Sequence, residues 1–435
     1  MTFLNKIYYG WWITLALFIA GLLAFGGGVY AFTLFLPSLE AEFGWGRALT
    51  GGAVSVLWLS APLLPLIGYL VDRFGARLLV GTGLLITGVL YMLMFFVQAA
   101  WQLYAIRIIM GIGKLLVLVS TTTSAARWFL THQGVATGAM LAGTHLGGFL
   151  LAPATQYFID TAGWRYAALM LGITVLVVGL PPVIWMMRWN KPQELGLLPD
   201  GVNAAEQSKS ALDNKADEAP AQYGVTIKQA LKMPAFWIIG VLELIYYYGM
   251  SAVLFQQTSL FTDLDIDSGV IARIVGAFAA IAMIACPLSG LVVDRMGGRR
   301  SLILFFALQA FAVICLLLFK NQNDWYLLYT FVILFGIHLG ATDVGFCVLL
   351  REQFGNRFYG AIFGTSYLFI VSMLMGGSVI SGFIYDKTGS YLGGFLPIVI
   401  GALFAILLLN IFLKNPSWKL SGYKPELLDE AGSNP

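Results

Sequence analysis

Long apolar runs alternate with short polar breaks along most of the chain, and each run is long enough to cross a bilayer as a helix. A helix rises about 1.5 Å per residue, so a hydrocarbon core of about 30 Å requires roughly 20 residues. The runs lack the alternation of apolar and polar residues that membrane β-barrel strands show, which favours helices. The predicted spans are 11–36, 48–71, 77–98, 101–125, 133–158, 164–188, 234–260, 268–292, 300–319, 325–350, 358–384 and 391–413.

A charged ten-residue hinge after the second span recurs after the eighth. The first copy is Gly68–Arg77 (GYLVDRFGAR), and the second, 222 positions later, is Gly290–Arg299 (GLVVDRMGGR). So specific a repeat indicates a chain built as two similar halves. A shortened Asp-x-x-Gly form follows the fifth span at Asp160 and the eleventh at Asp386. It favours three-helix units of inverted topology within each half, although Asp and Gly are also ordinary turn residues.

These patterns predict an all-α membrane protein with twelve transmembrane helices in two pseudo-symmetric six-helix bundles, each a 3+3 inverted repeat. The N-terminal bundle comprises residues 1–188, and the C-terminal bundle comprises residues 234–414. The intervening residues 189–233 are a predicted cytoplasmic linker, because 203–223 are polar and have no hydrophobic periodicity. Residues 415–435 are a predicted cytoplasmic tail.

Composition excludes a soluble protein and several classes of enzyme. The chain is 59% hydrophobic and 11% charged, which leaves too little charge for a water-exposed surface. Its three cysteines, Cys286, Cys315 and Cys347, lie inside apolar runs and are predicted to be small buried hydrophobes. The first span is too long for a signal-peptide core. With no nucleotide-binding loop, zinc-ligand cluster or nucleophile–base motif, we expect no cofactor, no metal and no nucleic-acid partner.

The distribution of basic residues predicts the orientation. Most of the 25 Lys and Arg residues fall on the side of the N-terminus, the central loop and the two hinge copies. Because cytoplasmic loops carry an excess of Lys and Arg, both termini and the central loop are predicted to be cytoplasmic. We therefore expect a multi-pass protein of a bacterial-type cytoplasmic (inner) membrane.

The hinge copies carry a resemblance to a known family. Gly68–Arg77 and Gly290–Arg299 resemble the signature loop of the major facilitator superfamily of secondary transporters, and Leu103, Arg107, Gly111 and Gly113 match its fourth-helix motif. The resemblance implies that the hinge copies latch the halves in one conformation as part of a gate. The gating residues it implies are Gly68, Asp72, Arg73, Arg77, Gly290, Asp294, Arg295 and Arg299.

A narrower resemblance is to the bacterial oxalate/formate antiporter and monocarboxylate-transporter-like branch. It rests on Tyr9–Trp12 opening the first helix, Arg127–Phe129 after the fourth, Lys191–Gly201 after the sixth and Ala230–Trp237 entering the seventh. Carriers of simple carboxylates in this branch commonly have an arginine four residues before the second signature glycine. This chain has Cys286 there, which cannot bind a carboxylate bidentately.

Ionisable residues within the spans are the candidates for function, because such groups are costly in a membrane. Lys114 lies about 20 Å into the fourth span, near the midplane. Aligning Trp101 with Trp325 places His338 at the matching depth in the other half. With the cavity that the family implies between its halves, we expect Lys114 and His338 to line it and attract an anion. The alternatives are that Lys114 snorkels or pairs with an internal acid and that His338 is a packing histidine.

Two acids are candidates for proton coupling. Glu243 in the seventh span precedes Tyr246–Tyr248 and a helix break expected at Gly249, and Asp343 lies in the tenth span. A buried carboxyl can bind and release a proton as its surroundings change; the alternative is an internal ion pair that holds helices together.

Two further side chains belong to the same predicted region. Tyr247 and Cys286 complete the predicted substrate contacts. Arg107 is linked by the family motif either to proton coupling or to hydrogen bonds between helices, with the second role favoured.

The first functional hypothesis is a secondary active transporter of small organic anions, resembling monocarboxylates or dicarboxylates, that works by alternating access. It would be a symporter coupled to protons or an antiporter exchanging a counter-substrate, active as a monomer in the lipid bilayer. An alternative is a carrier of another class, such as a drug, siderophore or sugar-like compound, which the missing arginine permits. A third is a transporter-like sensor that binds its ligand without moving it.

Overall fold

The computed structural model describes residues 8–200, 224–320 and 324–413. Within these ranges, twelve helices are long and apolar enough to cross a membrane. They are α1 (Gly10–Phe43), α2 (Leu49–Phe74), α3 (Ala76–Phe96), α4 (Ala100–Trp128), α5 (Gln133–Ala162), α6 (Trp164–Met186), α7 (Pro234–Asp263), α8 (Ser268–Met296), α9 (Gly298–Leu318), α10 (Trp325–Phe354), α11 (Tyr359–Thr388) and α12 (Tyr391–Ile411). Most of the predicted linker, 201–223, and the predicted tail, 415–435, lie outside the described residues.

The first helix is not regular along its length. After Gly10–Gly21 it widens to a π-helix over Leu22–Tyr30, tightens to a 3-10 helix over Ala31–Phe35 and ends as an α-helix over Leu36–Phe43. The helix therefore runs seven residues beyond the predicted end at 36, because these changes of winding keep the backbone hydrogen-bonded.

The expected break in α7 at Gly249 is absent, which corrects the prediction. The helix is continuous over Pro234–Asp263. A Cβ at Gly249 would lie 2.7 Å from Cγ2 of Ile398 in α12. Glycine at this position therefore permits close packing of α7 against α12, and no bend is needed.

The four Asp-x-x-Gly turns share a backbone feature. Gly75, Gly163, Gly297 and Gly389 end α2, α5, α8 and α11 with φ values of 86°, 87°, 80° and 63°, where side chains other than glycine are strained. Because three spans separate successive turns, they lie at alternate ends of the bundle. The same turn at inverted positions is what the predicted inverted repeat requires.

The two halves meet where backbones touch at glycines. The interface pairs α5 with α8 and α2 with α11. A Cβ at Gly134 would lie 2.6 Å from the carbonyl oxygen of Gly290, and one at Gly360 would lie 2.8 Å from that of Gly68. These contacts lie at the end of the bundle that carries Asp72 and Asp294, here called the hinge end. The hinge end is closed in this structure.

Candidate functional site

The first hinge copy bonds to both halves of the molecule. Asp72 forms an ion pair with Arg127 at the end of α4, with Nη2 2.8 Å from Oδ1. The same carboxylate accepts hydrogen bonds from the backbone N–H groups of Gly360 (3.2 Å) and Ala361 (2.8 Å) at the start of α11. A carboxylate is stabilised at a helix N-terminus by unpaired N–H groups and the helix dipole. Asp72 thus connects α2, α4 and the opposite half.

The second hinge copy repeats only part of this arrangement. Asp294 accepts hydrogen bonds from the N–H groups of Gly134 (2.5 Å) and Val135 (3.0 Å) at the start of α5. Arg351 is 224 positions after Arg127, yet its guanidinium extends into the other half. There, Nη1 donates to the carbonyl oxygens of Phe129 (2.9 Å) and Leu130 (3.2 Å).

The hinge arginines make contacts of a different kind. Arg73 donates to the hydroxyl of Tyr69, Arg77 to the carbonyl of Ile184, and Arg299 to the carbonyl of Asn410. Each of these bonds stays within one half, and Arg295 is exposed. Among the predicted gating residues, contacts between halves are therefore made by the glycines and aspartates: Gly68, Asp72, Gly290 and Asp294.

Arg127 and Arg351 were not predicted to act at the hinge end. Arg127 entered the sequence analysis only as a mark of the transporter branch. A signal was present, because the pair Arg127 and Arg351 has the same 224-residue spacing as Trp101 and Trp325. Repeated arginines at the ends of corresponding helices could have identified both.

Lys114 lies at the middle of the 29-residue α4 and is buried, with 1% of its surface exposed. Among the residues that the structure describes, Nζ has no hydrogen-bond partner. The alternative, in which Lys114 pairs with an internal acid, is not seen among the described residues, because the ion pairs found there join other side chains. A buried, unpaired ammonium group has a large desolvation cost, which a bound anion would offset.

Arg107, two turns earlier on α4, is held by α1 and α2. Its Nε donates to the carbonyl of Ala53 (2.9 Å), and its guanidinium lies 3.6 Å from the centre of the Phe32 ring. The side chain is fully buried. These contacts fit the role favoured for Arg107 in the sequence analysis, which is hydrogen bonding between helices.

The two acids predicted to couple protons lie on different helices of the C-terminal half. Glu243 of α7 is buried, and its Oε2 accepts a hydrogen bond from Oγ of Ser366 in α11 (2.5 Å). Asp343 of α10 is half-buried, and its Oδ1 accepts from the hydroxyl of Tyr247 in α7 (2.8 Å). Each carboxyl thus has a neutral hydroxyl donor, and none of the ion pairs among the described residues includes either acid.

His338 of α10 bonds and packs within the C-terminal half. Its Nδ1 lies 3.0 Å from the carbonyl oxygen of Phe305 in α9, and its ring packs 5.0 Å from that of Tyr246. Since a carbonyl only accepts, Nδ1 carries the proton in this bond. These contacts fit the alternative of a packing histidine, but Nε2 has no hydrogen-bond partner among the described residues. That His338 lines the cavity beside Lys114 therefore stays a prediction.

Cys286 lies at a helix junction. Its thiol donates to the carbonyl oxygen of Gly340 in α10 (3.0 Å), its side chain is 1% exposed, and its own backbone touches Gly138 of α5. The thiol is therefore bonded within the C-terminal half, and its contact with substrate stays a prediction. Tyr247 is in turn bonded to Asp343.

The described side chains thus place a basic group and two acidic groups in different halves near mid-membrane. The N-terminal half contributes the amino group of Lys114, which is unpaired among the described residues, and the C-terminal half contributes the carboxyl groups of Glu243 and Asp343. Within the described ranges, no group of three or more His, Cys, Asp or Glu residues could hold a metal ion.

The family model and the similar curated proteins all indicate the same family. The family model described as "Major Facilitator Superfamily" matches residues 16–364 and 240–425. Among curated proteins, the chain is 22% identical over 379 residues to the uncharacterized MFS-type transporter YcxA of Bacillus subtilis, covering 83% of this chain and 85% of that protein. It is 25% identical over 396 residues to monocarboxylate transporter 1 of Homo sapiens, covering 84% of this chain and 71% of that protein.

Solved structures show the same fold. The proton:xylose symporter XylE bound to 6-bromo-6-deoxy-D-glucose superposes with a TM-score of 0.67 at 18% identity, covering 93% of this chain and 96% of that chain. A double-tryptophan mutant of XylE gives a TM-score of 0.72 at 19% identity, covering 97% and 98%. The prediction of two six-helix bundles is confirmed by this likeness.

Proposed function

Because this chain belongs to the Major Facilitator Superfamily and is a multi-pass membrane transporter, we propose that it carries small organic anions such as monocarboxylates. The observation that carries the proposal is Nζ of Lys114, which is buried at the middle of α4 and has no partner in the part of the chain that the structure describes. A substrate carboxylate would supply the missing counter-charge and hydrogen-bond acceptor. The similarity to a monocarboxylate transporter over most of the chain supports the same substrate class.

We further propose that transport is coupled to protons through Glu243 and Asp343. Both carboxyls are bonded to hydroxyl groups, which can donate to a charged carboxylate or accept from a neutral one. Asp343 is half-buried and Glu243 is buried. A carboxyl in such surroundings can gain or lose a proton when the surrounding helices move.

The transport cycle in this proposal is alternating access in an inner membrane, with the hinge end in the cytoplasm. Asp72 and Asp294 each bind the start of a helix in the opposite half. Breaking these contacts would let the halves separate at the hinge end and expose a midplane site to the cytoplasm.

A carrier of a different substrate class remains the second candidate. The thiol of Cys286 stands where an arginine would bind a carboxylate, and it is bonded to Gly340. Tyr246 and Tyr247 add aromatic surface in the same half. A neutral, hydroxyl-rich substrate would need no arginine there.

Uptake into proteoliposomes tests the anion assignment. Purified protein is supplied with radiolabelled lactate, pyruvate, oxalate, succinate and xylose, with and without an inside-alkaline pH gradient. We expect uptake of at least one carboxylate and none of xylose. Lys114→Ala should lower the apparent affinity for the anion by roughly 10- to 100-fold, the range for a hydrogen bond to a charged group. Lys228→Ala, at an exposed position before α7, is the control.

Variants of the acids test the coupling. Glu243→Gln and Asp343→Asn should leave binding of the anion intact but remove the acceleration of uptake by the pH gradient. Equal acceleration in wild type and both variants would contradict proton coupling through these residues. Saturable xylose uptake with no carboxylate uptake would support the second candidate instead.

A further inference from the structure

The segment that follows α6 folds back onto the loop between α4 and α5. The N–H group of Asp200 donates to the carbonyl oxygen of Trp128 (3.1 Å). The carbonyl of Asp200 accepts from the N–H groups of Leu130 (3.2 Å) and Thr131 (3.3 Å). A single parallel bridge between Phe129 and Asp200 therefore holds the loop backbone at this point.

The carboxylate of Asp200 continues this attachment to the first residue before α5. Its Oδ2 lies 2.5 Å from Nδ1 of His132 and accepts from the backbone N–H of His132 at 3.2 Å. His132 occupies the N-cap position of α5. Asp200 therefore fixes the position from which α5 begins.

Tyr8 provides a second attachment to the same loop. Its hydroxyl lies 2.9 Å from the carbonyl oxygen of Trp128 and 3.2 Å from that of Leu198. Burial, followed by the charge of Asp200, raises the pKa of the Tyr8 hydroxyl. The hydroxyl is therefore protonated at neutral pH and acts as the donor.

The opposite edge of this loop is bound by the C-terminal half. Arg351 donates to the carbonyl oxygens of Phe129 (2.9 Å) and Leu130 (3.2 Å). Asp294 accepts from Gly134 and Val135 at the beginning of α5. The groups that bind across the two halves are thus within a few residues of those that bind Asp200.

We propose that Asp200 is a positioning residue for closure of the hinge end. It holds the loop so that two carbonyl oxygens face Arg351 and the first N–H groups of α5 face Asp294. This inference goes beyond the proposed substrate and coupling, and it depends only on the movement of the two halves against each other.

The C-terminal half has a simpler counterpart, which provides a control. Val225 donates its backbone N–H to the carbonyl oxygen of Phe354 (3.0 Å), and Gly224 pairs with Gly355. The attachment of Val225 uses its backbone, so Val225→Ala keeps this hydrogen bond. Asp200 instead contributes both its backbone and its carboxylate.

The experiment measures the distance between spin labels across the hinge end, without substrate. Leu78 and Arg300 are exposed at the starts of α3 and α9, and are 222 positions apart. Both are replaced by labelled cysteine, since Cys286, Cys315 and Cys347 are buried. Asp200→Ala should lower the ratio of short to long distances about tenfold, as expected for hydrogen bonds to a charged group.

Two further variants show whether the effect comes from the carboxylate. Asp200→Asn keeps an oxygen that can accept from His132 and should restore more than half of the short-distance population. His132→Ala removes only the imidazole contact and should shift the ratio by about threefold. Val225→Ala should resemble wild type.

The proposal is overturned by either of two results. One is an unchanged distance distribution in Asp200→Ala, provided that its thermal unfolding midpoint matches that of wild type. The other is an equal shift in Asp200→Ala and Val225→Ala. If Asp200→Ala does not fold, an unchanged distribution in the milder His132→Ala overturns the proposal. None of these outcomes depends on anion transport, so they test the inference separately from the proposed function.

Discussion

The two copies of the hinge have nearly the same sequence but different partners. Asp72 binds a helix start in the opposite half and also pairs with Arg127. Asp294 binds a helix start in the same way, whereas the corresponding Arg351 binds loop carbonyls across the interface. The difference shows that a repeated motif can keep its backbone role while its side-chain charges form different contacts. Substitutions in the two copies should therefore have unequal effects.

The largest effect should come from Asp72→Asn compared with Asp294→Asn. The Asp72–Arg127 pair is buried, with 7% and 4% of the side chains exposed. Removing one charge of a buried pair lowers the free energy of unfolding by about 3–5 kcal/mol, because the remaining charge is left without a counter-ion. Removing the charge of Asp294 weakens its hydrogen bonds from Gly134 and Val135 and should lower the free energy of unfolding by about 1.5 kcal/mol.

Thermal unfolding of the purified protein measures both variants. Asp72→Asn should lower the thermal unfolding midpoint more than Asp294→Asn does, because the buried pair that it breaks joins α2 and α4 within one half. An equal or larger effect of Asp294→Asn would contradict the difference inferred between the two hinge copies.

The second largest effect is expected at the close backbone contacts between glycines, which both hinge copies make across the halves. Gly134→Ala would place a Cβ 2.6 Å from the carbonyl oxygen of Gly290, so the halves would have to move apart. Overpacking of this kind typically costs about 1–3 kcal/mol. Gly81→Ala is the matched control, since a Cβ there meets no atom within 4 Å.

Both glycine variants are compared by initial uptake rate and by the spin-label distance. We expect slower uptake and a longer distance for Gly134→Ala, and wild-type behaviour for Gly81→Ala. Wild-type uptake by both would show that the contact between Gly134 and Gly290 is not needed for closure.

The third prediction separates function from stability at the middle of α4. Lys114→Met retains most of the side-chain volume and removes a buried amino group that has no hydrogen-bond partner among the described residues. The variant should therefore unfold at a higher temperature than wild type, while anion uptake falls. A lower unfolding temperature would show that the ammonium group has a stabilising partner.

The smallest effect is expected for the ion pair between Glu42 and Arg165 at the opposite end of the bundle. Here, 40% and 28% of the side chains are exposed. Exposed ion pairs contribute about 0–1 kcal/mol to the free energy of unfolding, because water and salt screen the two charges. Glu42→Gln should shift the thermal unfolding midpoint far less than Asp72→Asn does. Similar shifts would show that burial does not distinguish the two pairs.

Much of the fold could be predicted because membrane spans and turns follow local rules. Run length identified the spans, and the repeated Asp-x-x-Gly turns located four chain reversals, at which Gly75, Gly163, Gly297 and Gly389 all have positive φ. Lipid offers no partner for open backbone groups, so long apolar runs form helices whatever their neighbours are. The domain boundaries and the cytoplasmic location of the termini stay predictions.

The site was harder to predict, because side-chain partners depend on how each helix is rotated and translated against its neighbours. The central helices are apolar on every side, so their sequences do not show which face meets which helix. Depth placed Lys114 and His338 at matching levels, but His338 bonds to Phe305 in α9. The role of Asp200 depends on contacts with a loop about 70 residues earlier, which no local pattern indicates.

The reciprocal binding at the hinge end has a further consequence. Each half contributes a carboxylate, Asp72 or Asp294, and each contributes the helix start that receives the other's carboxylate, at Gly360 or Gly134. A contact in which both partners give and accept the same groups is isologous, the arrangement found across the twofold axis of a homodimer. The surface of one half therefore retains complementarity to a copy of itself, as expected if two identical six-helix subunits were once joined into one chain.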